Sequence, residues 1–278
     1  MSFRNALYMK PKAILILLIA LAALALTQCT GQQMQRQVRE SRTVVLDIGH
    51  YYVAGRGGQG ARTPDATKGG AIEECEFWYR NARYVKQEIE KAGYTCIVCN
   101  RGATPDNPPL AKCAKEIGVV QLNTPVPTGV YRSKHHPWRL AVGMLSADYA
   151  LDQKPAAVIF LHLNSDSDTW SISNKVAFYC NETGIGMSKT MANVMNRDII
   201  DHGMPNHGIP CGVIVRNDGR KGGGDWLNTC NESYVPAAIT EVAFLSNPEH
   251  ARYLATPANA ADFARAIGRG IVSYLQNR

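Results

Sequence analysis

The feature that most limits the fold of this chain is the alternation of short apolar segments with helical patterns. Each segment is rich in Val, Ile and Leu and is predicted to form a buried strand. Five such segments occur, at residues 43–49, 94–100, 156–164, 175–180 and 237–242. Strands separated by helices are typical of an α/β fold, in which helices pack on the faces of a sheet. The chain from residue 43 onward holds 236 residues, enough for one domain with a substantial core.

Helical patterns lie between these strands. In residues 74–92 apolar side chains recur at i, i+4, i+7 and i+11, and the pattern stops at Gly93. Asn247-Pro248 and Thr256-Pro257 each combine an N-cap residue with a first-turn proline, so each pair is predicted to open a helix. Residues 102–138 hold six prolines and interrupt the alternation, and we predict that they form a long excursion at the surface.

The first 29 residues have the features of an export leader. Three basic side chains precede an apolar run over residues 13–26, which is shorter than the roughly 20 residues of a membrane-spanning helix. Ala23-Leu24-Ala25 offers a signal-peptide cleavage site. The four residues ending at Cys29 resemble a lipoprotein box, in which Cys29 would be acylated, but Gln28 departs from the small residue usual there. A cleaved signal peptide and a lipid anchor at Cys29 both stay open.

The charge of the chain is concentrated at its start. The net charge is +7, but six of the 30 basic residues and only one of the 23 acidic residues precede residue 43. The remaining 24 basic and 22 acidic residues leave a nearly neutral domain without the basic excess of a nucleic-acid-binding protein. Residues 30–42 are polar and are predicted to be a tether. Because an export leader precedes it, we expect the domain to lie outside the cytoplasmic membrane, in the periplasm, secreted or lipid-anchored.

Two motifs are not assigned the function that their spacing suggests, because the surrounding sequence does not fit it. Gly55 to Gly60 has the GxGxxG spacing of a dinucleotide-binding loop, but it starts six residues past the strand and no helix opening follows, so a flexible loop is predicted. Cys96 and Cys99 lie three residues apart in a predicted strand and therefore point to opposite faces. We expect neither a redox pair nor a metal site from them.

Polar side chains at the ends of predicted strands are the candidate functional residues. His50 directly follows residues 43–49, His162 lies near the end of residues 156–164, and Glu241 interrupts an apolar stretch. Because the carboxyl ends of strands in open α/β sheets converge on a ligand crevice, three separate segments can bring these side chains together. His162 alone would more often be a half-buried structural histidine. A buried carboxylate such as Glu241 tends to be paired, metal-bound or catalytic, because burying it alone costs several kcal/mol.

Two histidines and a carboxylate form the ligand set of a catalytic zinc site, with a fourth position left for water. The carboxylate is expected from the helix that follows the first strand, where Glu73, Glu74 and Glu76 lie at the N-terminal end. Acidic residues there also simply complement the helix dipole. Spacing by itself does not choose among the three.

Four sequence landmarks match the motifs of one protein family and occur in the same order. They are VVLDIGH at the first strand, KAGY at the end of the first helix, IFLHLNSD, and AITEVAFLSNPEHARYL. The chain resembles the zinc-dependent N-acetylmuramoyl-L-alanine amidases of bacterial cell walls, from residue 43 to about residue 275. The last landmark is long and specific, so coincidence is a poor explanation.

The resemblance implies roles for particular residues. Its metal ligands would be His50, Glu74 and His162, holding Zn²⁺, with Glu74 selected by counting back from KAGY. Glu241 would match the catalytic glutamate, acting as general base and then general acid. The family usually places Arg and Asn on the helix before the second histidine strand, where this chain has Gly143 and Asp148.

The resemblance also implies a fold and a substrate. The expected fold is a mixed sheet of about six strands, flanked by helices on both faces as one domain over residues 43–278. The expected reaction cleaves the amide bond between N-acetylmuramic acid and L-alanine in peptidoglycan, and an activator protein is a further partner left open. Two alternatives remain: a zinc peptidase or amidase acting on another envelope peptide, and a non-catalytic wall-binding protein with the same fold.

Overall fold

The computed structural model describes most of the chain from residue 40 onward. The described residues are 40–122 without 51, 56, 59 and 65–71; residue 149; 153–215 without 167, 168 and 181; and 235–278. The predicted leader, Cys29, almost all of the tether, Gly143 and Asp148 lie outside them. The chain divides into two compact units, residues 1–40 and 41–278, and the account below concerns the second. Among the helices described, none is both long and apolar enough to span a membrane.

Nine strands are present in the described residues. In chain order they are β1 (Thr43–Ile48), β2 (Tyr52–Val53), β3 (Gly57–Gly58), β4 (Thr95–Asn100), β5 (Val120–Gln121), β6 (Ala157–Asn164), β7 (Ala177–Cys180), β8 (Gly212–Val215) and β9 (Ala237–Phe244). Seven of them form one sheet in the order β5-β4-β1-β6-β9-β7-β8, and β2 and β3 form a separate antiparallel pair. The sheet is mixed, because β7 runs antiparallel to β9 while the other neighbours pair in parallel.

Five α-helices accompany the sheet in the described part of the chain. They are α1 (Glu74–Lys91), α2 (Pro108–Ile117), α3 (Ile185–Met195), α4 (Pro248–Ala255) and α5 (Pro257–Gln276). A short 3₁₀ turn, Glu182–Gly184, precedes α3, and a π-helical turn, Asn196–Ile200, follows it. Helix α1 packs on β1 and β6, α3 packs on β7 and β8, and α5 packs against both helices. The predicted α/β class with a mixed sheet and flanking helices is confirmed, with seven strands in place of about six.

Aromatic rings and aliphatic side chains fill the space between α1, α5 and the sheet. The ring of Phe263 on α5 lies 6.3 Å from the ring of Phe77 and 6.3 Å from that of Trp78. Side chains of β1 and β6 that point the other way, such as Val45 and Phe160, are buried as well. Burial on both faces explains why these strands are continuous apolar runs in the sequence rather than alternating ones.

The structure refines three local predictions. The stretch predicted as an excursion, residues 102–138, contains α2 and the edge strand β5, while residues 123–138 lie outside the described part. Asn247 caps α4, since its Oδ1 accepts a hydrogen bond from Glu249 N at 2.9 Å. Thr256 occupies the N-cap position of α5 but makes no side-chain capping bond.

His250 is a buried structural residue rather than a surface histidine. Its side chain is fully buried at the start of α4. Its Nδ1 accepts a hydrogen bond from Phe244 N at 3.1 Å, so the proton is on Nε2, which donates to Pro205 O at 2.9 Å. His250 therefore joins α4 to the end of β9, and the sequence did not show it because both partners are main-chain groups.

The arrangement of β1, β6 and β9 sets up the functional edge. The three strands are adjacent and parallel, so their carboxyl ends lie at the same edge of the sheet. His162 on β6 is directly opposite Glu241 on β9 in the strand register. His50 is the second residue after the end of β1, so it lies at that same edge.

Candidate active site

Three side chains from separate elements meet at the carboxyl edge of the sheet. His50 follows β1, Glu74 is the first residue of α1, and His162 lies near the end of β6. One nitrogen or oxygen atom from each lies within 4.8 Å of the others. Glu74 stands between the two histidines: its Oε2 is 3.0 Å from His50 Nε2, and its Oε1 is 2.8 Å from His162 Nδ1. Only His50, with 32% of its side chain exposed, is open to solvent.

The backbone around His50 is held in an uncommon conformation. His50 has φ of +60°, in the left-handed region that non-glycine residues seldom occupy. The side-chain amide of Asn100, at the end of β4, donates hydrogen bonds to Ile48 O at 2.9 Å and His50 O at 3.2 Å. Gly102 N in turn donates to Asn100 Oδ1 at 2.9 Å. Asn100 therefore fixes the turn that aims the imidazole of His50 at Glu74.

The role of Asn100 at the site was not predicted from the sequence. It ends the predicted strand at residues 94–100, next to the strand that carries His50, and it is fully buried. The reasoning that selected His50, a polar residue at the carboxyl end of a strand, applies equally to Asn100. Its role lies in contacts with main-chain atoms, which no residue pattern displays.

Two main-chain amides hold the carboxylate of Glu74. Ala61 N donates to its Oε2 at 2.7 Å, and Leu163 N donates to its Oε1 at 2.9 Å. Each oxygen thus accepts one hydrogen bond and faces one histidine. Spacing alone left Glu73, Glu74 and Glu76 open and the family resemblance selected Glu74, and the structure brings only Glu74 of the three into this cluster.

His162 is fixed through its own backbone. Its N–H donates to Thr240 Oγ1 at 2.9 Å, and the Thr240 hydroxyl donates to His162 O at 3.0 Å. Both residues are buried, so this reciprocal pair ties β6 to β9 directly beside Glu241. Thr240 therefore fixes the relative positions of His162 and Glu241.

Glu241 is a buried carboxylate with an unsatisfied oxygen. Only 7% of the residue is exposed, and within the described residues its Oε2 has no hydrogen-bond partner. Burial, together with the negative charge of Glu74, raises the pKa of Glu241 well above its ordinary value. A carboxylate in this position is costly to the fold unless it serves the site.

The electrostatics of the cluster favour a cation. Burial opposes ionisation of Glu74, but nearby His50 and a hydrogen bond from His162 outweigh it and lower the pKa of Glu74 well below its usual range. Burial lowers the pKa of His162, which favours the neutral imidazole. An ionised carboxylate and a neutral imidazole are the forms that ligate a divalent metal. Two imidazoles and one carboxylate fit Zn²⁺ in number and in chemical type.

Comparison with known proteins assigns the chain to a family. A sequence model of the N-acetylmuramoyl-L-alanine amidases matches residues 44–273. The chain belongs to this family. The amidase activity predicted from the sequence is thereby confirmed, and no curated protein matches the chain significantly in sequence.

Solved structures share the fold of this amidase at low sequence identity. The amidase AmiC2 of Nostoc punctiforme is 19% identical, with a TM-score of 0.55, over 84% of this chain and 97% of that one. The CwlD amidase of Clostridioides difficile, solved in complex with the GerS lipoprotein, is 16% identical, with a TM-score of 0.55, over 85% and 99%. The catalytic domain of the CwlV amidase of Bacillus (Paenibacillus) polymyxa var. colistinus is 20% identical, with a TM-score of 0.51, over 85% and 99%.

The glycine-rich segment of the amidase serves the site instead of a dinucleotide. Gly57 and Gly58 form β3, and Gly60 has φ of +116°. A Cβ atom on Gly60 would lie 2.5 Å from His50 Cδ2 and 2.6 Å from Glu74 Oε2. The absence of a side chain at Gly60 thus lets the segment pass close to the cluster and present Ala61 N to Glu74.

Cys96 and Cys99 are the two cysteines of β4. Both are buried on β4 and neither is in a disulfide. Cys96 belongs to the apolar core formed with the helices, and Cys99 does not, which agrees with side chains on opposite faces of the strand. Burial raises the pKa of both thiols, so neither is a reactive thiolate.

Proposed function

We propose that this amidase is zinc-dependent and hydrolyses the amide bond between the lactyl group of N-acetylmuramic acid and L-alanine in peptidoglycan. His50, Glu74 and His162 would hold the metal, and Glu241 would move the proton. The observation that carries the proposal is the meeting of this ligand set with a buried carboxylate at one edge of the sheet. Family membership supplies the substrate.

The chain's own residues account for the proton transfers. When bound, Zn²⁺ would lower the pKa of a water molecule and polarise the scissile carbonyl. Glu241 accepts a proton from the water as the C–O bond forms, and it then passes this proton to the leaving nitrogen so that the C–N bond breaks. The products are a lactyl carboxylate on the sugar and a stem peptide with a free L-alanine amine.

The raised pKa of Glu241 is consistent with this role. One of its two causes is the negative charge of Glu74, which is offset when the cluster holds a cation. The other cause is burial, which raises the pKa of Glu241 above that of an exposed carboxyl group. A raised pKa makes the carboxylate a stronger proton acceptor, as a general base requires.

The location of the substrate supports an extracytoplasmic site of action. Peptidoglycan lies outside the cytoplasmic membrane, so export through residues 1–29 is part of the proposal, with either a cleaved leader or lipid attachment at Cys29. Fractionation of cells that express the protein with Cys29→Ser distinguishes them, because only a lipid anchor requires the thiol. CwlD was solved in complex with a lipoprotein, so a partner protein, which could act as an activator, is part of the proposal for this chain.

The test is digestion of isolated peptidoglycan by the zinc-loaded full-length protein, with products identified by mass spectrometry. We expect free stem peptides that begin at L-alanine, and none with Glu241→Ala. Products cut within the stem would instead establish a zinc peptidase. Zinc binding without any product would favour a wall-binding protein or one that needs an activator, and a protein that neither binds zinc nor cleaves would refute the proposal.

A further inference from the structure

The loop that follows His162 exposes two large apolar side chains to solvent. Trp170 is 42% exposed and Ile172 is 86% exposed. We call this pair the apolar platform. Exposed apolar groups that lie together on a protein surface commonly mark a binding site. Ile172 in particular is almost fully hydrated, so covering its side chain with a ligand would be favourable.

Hydrogen bonds to Ser246 and Asn247 hold this loop in place. Asp166 N donates to Ser246 Oγ at 3.1 Å, and Ser171 N donates to Ser246 O at 2.8 Å. Further along, Asn247 Nδ2 donates to Ser173 O at 3.0 Å. Ser246 is fully buried, so these bonds attach the loop to the body of the domain. The apolar platform is therefore presented on a fixed backbone.

The anchors place the apolar platform at the catalytic edge. The loop leaves β6 after Asn164, two residues past His162. Ser246 follows the end of β9, five residues past Glu241. The two strands that carry His162 and Glu241 thus also carry the loop and its anchor. Whatever covers the platform therefore lies at the same edge of the sheet as His162 and Glu241.

The charge of the loop distinguishes the two halves of the substrate. Between β6 and β7, residues 165–176 hold two aspartates and one lysine, Lys175, so the loop has a net negative charge. A stem peptide carries carboxylates, which an acidic loop repels. The glycan strand is neutral, and the C–H face of a pyranose ring packs flat against an indole ring.

We propose that the apolar platform binds the glycan strand, with a sugar ring next to the cleaved bond on Trp170 and Ile172 beside it. This inference rests on the proposed function, since it takes the family's substrate as given. It assigns the sugar side of the substrate to the β6–β9 edge and leaves the stem peptide to other surfaces.

Binding of peptide-free glycan strands to the full-length protein tests the platform independently of catalysis. In a calorimetric titration, we expect Trp170→Ala to weaken binding about tenfold, the effect of losing one aromatic contact, and Trp170→Phe to weaken it much less. The matched control is Ile209→Ala, another exposed apolar residue, 37% exposed, outside the loop. Unchanged binding in Trp170→Ala, an equal loss in Ile209→Ala, or no binding by the unmodified protein would overturn the proposal.

A comparison of two substrates connects the platform to the reaction. One is N-acetylmuramoyl-stem peptide, and the other carries only a lactoyl group in place of the sugar. We expect Trp170→Ala to lower kcat/KM about tenfold more for the first than for the second. An equal loss for both, or weaker binding of free stem peptide, would overturn the proposal. If the unmodified protein cleaves neither substrate, the proposed function fails, while the glycan titration still decides the platform.

Discussion

The side-chain amide of Asn100 donates a hydrogen bond to the main-chain oxygen of His50, at 3.2 Å. This contact joins the end of β4 to the turn after β1. His50 has a positive φ, so its backbone needs support from outside the turn. The relationship shows that one candidate metal ligand depends on a neighbouring strand for its position.

Replacing Asn100 with alanine is expected to weaken zinc binding. Loss of a group that holds a metal ligand in place typically reduces metal affinity about 10- to 100-fold. The dissociation constant should be measured by competition with a chelator, alongside unfolding of the metal-free protein. A loss of about 1–3 kcal/mol in stability with unchanged zinc affinity would show that Asn100 supports only the fold.

Replacing Glu74 with glutamine is expected to abolish tight zinc binding. The amide loses the charge of the ligand and one of the two oxygens that accept hydrogen bonds from Ala61 N and Leu163 N. Glu73→Gln and Glu76→Gln on the same helix are matched controls and should keep the metal. Zinc content by mass spectrometry decides, and loss of metal in Glu76→Gln but not in Glu74→Gln would contradict this site.

Replacing Gly60 with alanine is expected to impair the site, and Gly55→Ala is the control. Both residues have positive φ, so both variants incur about 1–2 kcal/mol of backbone strain. Only at Gly60 would the new Cβ collide with His50 and Glu74, because the space around Gly55 is open. Zinc affinity should therefore fall in Gly60→Ala alone, and equal affinities in the two variants would argue against close packing over the cluster.

Replacing Glu241 with glutamine is expected to separate catalysis from metal binding. Hydrolysis should fall about 10²- to 10⁴-fold, the usual contribution of a general acid–base group, with zinc retained.

Because the pKa of Glu241 is raised in the folded state, its contribution to stability is present below pH 4.5 and is lost as pH rises through the folded pKa. Metal-free Glu241→Gln should therefore be the more stable protein at pH 8, with the difference absent at pH 4. Unfolding by urea at both pH values checks this.

Acid is expected to destabilise the amidase through His250. Burial lowers the pKa of His250 to about 4, from 6.5 in the unfolded chain. Its contribution to stability is present above pH 6.5 and is lost as pH falls toward 4, by about 2 kcal/mol between pH 7 and pH 5. His250→Gln should flatten this slope in urea unfolding curves, and the exposed residue His202→Gln should not. A slope unchanged by His250→Gln would show that the effect arises from other groups.

Local sequence patterns were sufficient for the central strands and the main helices. Continuous apolar runs predicted β1, β4, β6 and β9 because a strand buried on both faces needs an apolar residue at nearly every position. The edge strands β5 and β8 were not predicted, since strands of two and four partly exposed residues have little pattern of their own. Helix α2 was missed because Pro108 and Pro109 suggested an irregular segment, whereas they occupy the first turn of a helix.

The sequence alone determined the α/β class, the strand-end positions of His50, His162 and Glu241, and the family resemblance. Each of these depends on residue types at short spacing, which local backbone preferences and burial convert directly into structure. The tertiary structure decided what required distant segments to meet: the contacts of Glu74 with both histidines, the support of His50 by Asn100, and the burial of His250. Those outcomes depend on hydrogen bonds between main-chain and side-chain atoms 50 or more residues apart, such as Asn100 with His50 and Leu163 with Glu74, or on packing against main-chain carbonyls. No local pattern carries that information, because the partner atoms are common to every residue.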